Sequence, residues 1–208
     1  MAMFRNALTK LDTVEAHALL TELNPQIDGS PYQADKATVL SAPVSFYPGY
    51  QFIEISDHTI MPARKTALIY KAGDAGSAVM LDWTNKPIYA LNDNAPLTLD
   101  ESTINDYVRF FFSYVRGRHG RFVIIENVDE ISWKDEPPVN ARKAVSSLIA
   151  PLHLYGIDND GTYRLSARML FKDSLFKADI VVDHHGHVNL EDEELVIEDI
   201  PVVDEVLG

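Results

Sequence analysis

The residues whose types and spacing could do chemistry are arginines, histidines and carboxylates, because the chain contains no cysteine and so no thiolate nucleophile, disulfide or thiolate metal site. Arg116, Arg118 and Arg121 fall in the run RGRHGR, between an aromatic segment and an apolar one. Guanidinium groups take phosphate or carboxylate in bidentate fashion, so three of them flanked by glycines form a candidate anion-binding loop. The competing reading is structural. The loop follows a helix C-terminus, whose partial negative charge repels anions and holds arginines for its own sake. Asp183-His184-His185-Gly186-His187 offers imidazoles for zinc, nickel or copper, but three histidines in one tight turn point apart, and a solvent-exposed hairpin turn is the preferred reading. Asp57-His58 suggests a dyad, yet adjacent loop residues rarely face each other. GxSxG, HExxH, GxGxxG, GxxxxGK[ST] and EF-hand patterns are all missing.

These residues need elements to position them. Asp12 and Glu15 have capping-box spacing ahead of Ala16, Leu19, Leu20 and Leu23, which predicts a helix that Asn24-Pro25 ends. A separate short helix is expected over residues 3–11, with Phe4, Leu8 and Leu11 on one side. Short strands are expected at 38–46, 50–56, 66–71, 78–83 and 87–91, too close together for anything but antiparallel connections. Thr98 and Glu101 suggest the cap of a helix over 99–117, striped by Ile104, Tyr107, Val108, Phe111, Phe112 and Val115. Strands at 122–126 and 128–133 and a helix at 139–150 follow.

From residue 152 onward the alternation predicts a four-stranded antiparallel meander. A turn at Asp173-Ser174 would pair Met169 with Ala178 and Ala167 with Ile180, and set Arg168 opposite Asp179. The loop His184-His185-Gly186 would pair Val182 with Val188. The loop Asn159-Asp160-Gly161 would pair Ile157 with Tyr163 and His153 with Ala167. Each register keeps one apolar face continuous. On that face His153, with Tyr155 and Tyr163 nearby and small Ala167 and Ala178 leaving room, forms a candidate ligand cavity; the alternative is a core histidine under a covering helix.

A helix cradled by a curved meander resembles the cystatin-like and NTF2-like folds, and DYVRFFFSYVRGRHGRFVIIE resembles uncharacterised bacterial proteins, a resemblance that implies no activity. The fold class is therefore α+β with antiparallel sheets, in an N-terminal part over 1–97 and a helix-plus-meander part over 98–208, two domains or one continuous one. With 208 residues the chain can bury a sizeable core unaided. Its net charge of −13 argues against a nucleic-acid binder, and it has neither a leader-like nor a membrane-length apolar run, which together with the missing cysteines suits a cytoplasmic protein. Residues 178–208 carry ten of the 31 carboxylates and no Lys or Arg, opposite in sign to the cluster from Arg109 to Arg121. Such a chain can dock on a copy of itself as a homodimer, or on a protein partner. The reading that follows is a non-enzymatic binding or interaction module without a cofactor; the alternative is a small-ligand receptor or enzyme with a cavity near His153.

Overall fold

Short strands joined by tight turns pair with their neighbours in the chain, and the computed structural model, which describes residues 8–203, shows this in both of its compact units. The class is α+β: four α-helices and ten strands in two antiparallel sheets among the described residues. None of these helices is long and apolar enough to cross a membrane.

The first unit comprises residues 8–82 and 86–98 of the described chain. Strands β1 (Thr9–Lys10), β2 (Ala37–Pro43), β3 (Tyr50–Asp57), β4 (Arg64–Lys71) and β5 (Asp74–Met80) lie in chain order. Helix α1 (Thr13–Leu23) starts at the expected capping box, with Asp12 accepting from the Val14 and Glu15 N–H groups at 2.9 Å and Glu15 returning the bond. Its buried Ala16, Leu20 and Leu23 pack on Val39, Ile53, Ile55 and Leu68. Two expectations fail here. Thr9–Lys10 is a strand against Ser41 and Leu40, where a helix over 3–11 was expected; Phe4 lies outside the described residues. The segment expected as a strand at 87–91 is helix α2 (Lys86–Asn94), in which Pro87 sits in the first turn and Ile88 and Leu91, three apart, are the buried face.

The second unit holds residues 83–85 and 99–203 of the described chain. Helix α3 (Ile104–Tyr114) begins five residues later than expected: Asp100 accepts from the Ser102 and Thr103 N–H groups, forming a turn first, and Thr98 and Glu101 make no capping box. It ends before Gly117 because Val115 is already extended. Strand β6 (Phe122–Ile124), a 3-10 turn at Val128–Glu130 in place of the expected strand, and helix α4 (Val139–Ser146) follow. Strands β7 (His153–Ile157), β8 (Tyr163–Phe171), β9 (Ser174–Val182) and β10 (Val188–Ile197) form the meander. β6 and β7 share one edge of β8, at residues 169–171 and 163–166 respectively.

The registers separate by turn chemistry. Gly186 takes φ 77° and Val182 faces Val188, as expected. At β8–β9 the turn is Lys172-Asp173, with Lys172 at φ 54°, so Ala167 faces Ala178, Leu165 faces Ile180, and Arg168 meets Lys177 instead of Asp179. That slide of two residues keeps every side chain on its face. At β7–β8 a bulge at Tyr155 sets Leu154 opposite Leu165 and His153 opposite Ser166. On the inner face Leu165, Met169, Ala178, Ile180 and Val182 are fully buried, and the Tyr107 hydroxyl of α3 donates to the Gly186 carbonyl. On the outer face Leu170 and Leu175 join Val123, Ile125, Ile131, Val145, Ile200 and Val202 in a second core. The acidic run 191–198 is largely edge strand β10, whose carboxylates discourage further strand pairing; Asp204 and Glu205 lie outside the described residues.

Candidate functional site

The arginine loop is fixed at both ends. Val115 terminates α3, Gly117 and Gly120 form an antiparallel bridge, and Phe122 pairs with Phe171 across β6 and β8. The Phe122 and Phe171 rings stack at 4.6 Å, and a Cβ on Gly120, whose φ is 141°, would lie 3.0 Å from the Phe171 ring. Only glycine lets the loop close onto that ring.

The loop's arginines divide their work. Arg116 donates its N–H to the Trp83 carbonyl at 2.8 Å and lays its guanidinium 4.0 Å from the centre of the Trp83 ring. Arg121 lies 5.9 Å from the same ring and its Nε donates to the Phe112 carbonyl at 3.4 Å, near the helix C-terminus. Part of the structural reading thus holds for these two: an aromatic face and a helix-end carbonyl attract them. Trp83 itself sits at φ 68°, uncommon for a bulky side chain and costly unless its surroundings fix it.

Beside the loop, on the outer face of the second sheet, lies a cavity of about 300 Å³. Arg116, Arg118, His119, Arg121 and Lys172 stand around it, and Val123, Ile125 and Leu170 line its sheet side. Glu130, Ser132, Val202 and Val203 line the remainder. That wall is held by main-chain bonds, Val203 N–H to the Ser132 carbonyl at 2.7 Å and Lys134 N–H to Pro201 at 2.8 Å, around the Trp133–Val202 bridge. Among the described residues Glu130 is the one carboxylate in the lining, and its Oε2 already accepts from the Glu126 N–H at 2.9 Å and the Asn127 N–H at 3.3 Å. Among the described residues, three arginines and a lysine therefore line the cavity with one carboxylate, in a chain whose net charge is −13.

Arg109, the fourth arginine of the cluster, is engaged elsewhere. It grips Glu126 at 2.7 and 2.9 Å and Asp106 at 3.2 Å. Burial pushes the Glu126 carboxyl up, but the Arg109 hydrogen bond and charge and the Leu152 N–H outweigh it and hold the group below its ordinary value.

The cavity expected near His153 is not assembled. The bulge at Tyr155 turns His153 to the exposed side, Tyr155 is 48% exposed, and the Tyr163 hydroxyl donates to the Leu99 carbonyl at 2.6 Å. Ala167 and Ala178 do meet, but as a buried cross-strand pair. In the histidine turn, Asp183 accepts from the His185 and His187 N–H groups and pairs with His187 Nδ1, all at 2.9 Å. No group of three or more His, Asp or Glu is placed to hold a metal among the described residues. Asp57 turns to the Thr59 hydroxyl at 2.6 Å and the Thr59 N–H at 2.8 Å, and these bonds lower its carboxyl.

Sequence reasoning names the three arginines but misses Lys172, Val123, Leu170 and the 202–203 wall. Their signal is long-range: Val123 faces Leu170 only because β6 pairs with β8. Comparison with family models, curated proteins and solved structures finds no match for this chain.

Proposed function

We propose that this protein is a cytoplasmic, non-enzymatic binding module whose site is the cavity beside the arginine loop, and that it takes a small ligand bearing an anionic group. The observation that carries this reading is the lining itself: among the described residues, Arg116, Arg118, Arg121 and Lys172 beside aliphatic Val123, Ile125 and Leu170, with the one carboxylate of Glu130. The chain's overall negative charge opposes anions at long range. At physiological salt such fields are screened beyond roughly 8 Å, so the adjacent cations decide the outcome. The resemblance of the helix-and-meander unit to cystatin-like and NTF2-like folds supports a binding role in architecture only. A homodimer stays part of the proposal with a smaller arginine surface, since Arg109 is neutralised by Glu126 and Asp106.

The test is calorimetric titration of the full chain with acetate and inorganic phosphate, beside a variant combining Arg118→Gln and Lys172→Gln. Removal of two cations should weaken anion binding about tenfold, the effect of roughly 1.4 kcal/mol. Anion binding indifferent to both changes would reject this site.

A further inference from the structure

We infer that the ligand of this cavity is an anionic amphiphile, a short aliphatic chain ending in a carboxylate or a phosphate monoester. The inference rests on the reading of the cavity as an anion site and adds the identity of the uncharged part.

Three features of the lining lead there. Apart from the cations, His119, Glu130 and Ser132, the side chains of the lining are aliphatic: Val123 and Leu170 from the sheet, Ile125 just after β6, and Val202 and Val203. Among the described residues no Phe, Tyr or Trp lines the cavity, the His119 imidazole is the one ring there, and the neighbouring Trp83 ring already carries the Arg116 guanidinium at 4.0 Å. Two polar atoms of the far wall are taken as well. Glu130 Oε2 accepts from the Glu126 and Asn127 N–H groups, and the Ser132 carbonyl accepts from Val203 N–H. A nucleotide or sugar phosphate would bury polar atoms against Val and Leu side chains without partners, which is costly. An alkyl chain meets no such penalty. The volume, about 300 Å³, lies at the small end of ligand pockets, which run roughly 300–1,000 Å³, and so fits a short chain better than a long lipid. The lining thus joins cationic residues to aliphatic ones. An amphiphile offers both an anionic group and an alkyl chain.

Calorimetry on the full chain with a homologous series tests this: acetate, butyrate, hexanoate and octanoate, then octyl phosphate, octylamine and adenosine monophosphate. Each methylene that enters the cavity should tighten binding, so that octanoate exceeds acetate by at least roughly thirtyfold, the gain from two to three buried methylenes. Octyl phosphate should follow octanoate, and octylamine should not bind. Arg118→Gln with Lys172→Gln should weaken every anion alike. Leu170→Gln should weaken octanoate more than acetate, so that the octanoate-to-acetate ratio falls; if that variant fails to fold, the chain-length series on the unmodified protein decides alone. Equal affinity for acetate and octanoate, or adenosine monophosphate binding more tightly than octyl phosphate, would overturn the aliphatic assignment while the anion site stands. Absence of binding by every anion would overturn both.

Discussion

The two faces of the β6–β10 sheet are made from alternate residues of the same strands, yet one closes and the other keeps a cavity. On the inner face Leu165, Ala167, Met169, Ala178, Ile180 and Val182 follow one another without a charged residue, and all are buried. The outer face mixes Leu170 and Leu175 with Arg168, Lys177 and Asp179, and irregular chain at 125–131 and 200–202 supplies much of its second core alongside Val145 of α4. Side chains pack to crystal-like density where a regular apolar surface meets another. Where loops and a bridge form part of the cover, as at Trp133–Val202, space remains, and here cations stand beside it. Under the proposed function the contrast separates stability from binding: the sealed face holds the unit together, and the interrupted one is where the proposed ligand would sit.

The largest effect should come from the aromatic helix α3. Phe111 is 5% exposed, and Phe111→Ala should cost about 3–5 kcal/mol in denaturant unfolding. Leu170→Ala, at the half-buried cavity wall, should cost about 2 kcal/mol, the bottom of the range for such truncations. Equal losses for the two would erase the distinction between the faces.

Next comes the ion pair that anchors α3 to the chain after β6. Glu126 is 14% exposed at its side chain, and Glu126→Ala leaves Arg109 without its bidentate partner and Leu152 N–H without its acceptor, a loss of about 3 kcal/mol. Because the folded Glu126 carboxyl lies below its ordinary value, its contribution is complete above that value, near 4.5, and disappears as pH falls through the lower folded value. The gap in stability between the unmodified protein and Glu126→Ala should therefore narrow in acid. A gap constant from pH 7 to pH 3 would show that the pair is not what the variant removes.

The legible parts of this fold were those settled by residues close together in the chain. The Asp12–Glu15 box marks the start of α1, and Gly186 pins the β9–β10 register through its left-handed turn. The β8–β9 register was legible only in parity. Sliding by two residues preserves the apolar face, and the deciding fact, Lys172 in a conformation that lysine seldom takes, has no sequence signature. A bulge is equally silent, and the one at Tyr155 was enough to turn His153 outward. The same limit divides the site. Its cations stand together in RGRHGR and could be named, whereas its aliphatic walls come from β6, β8 and the 202–203 segment and meet only in the folded chain.

A smaller effect tests the loop's hold on the sheet. Gly120→Ala places a Cβ 3.0 Å from Phe171 at φ 141°, a strain of about 1–3 kcal/mol. Part of that strain should appear as movement of the loop, so acetate and phosphate affinity should fall along with stability. Unchanged affinity in a destabilised Gly120→Ala protein would mean that the loop's position does not set the anion site.

The smallest effect belongs to the histidine turn at the far end of β9. Its geometry is carried by the Asp183 carboxylate, which accepts both the His185 and the His187 N–H groups, and by Gly186 at φ 77°. Burial raises the Asp183 carboxyl, but the His187 and His185 bonds prevail and hold it below its ordinary value. The imidazoles add the exposed His187 Nδ1 contact and a tilted His184–His185 ring pair at 4.0 Å, neither of which closes the turn. Changing His184, His185 and His187 together to Asn should thus shift stability by less than about 1 kcal/mol, whereas Asp183→Ala should exceed that change, because it strands two turn N–H groups. Since the folded Asp183 carboxyl is depressed, the excess should be full above its ordinary value near 3.8 and fade as pH drops through the lower folded one. Unfolding curves of the two variants at pH 7 decide the order, and a triple histidine change costlier than Asp183→Ala would assign the turn to its imidazoles.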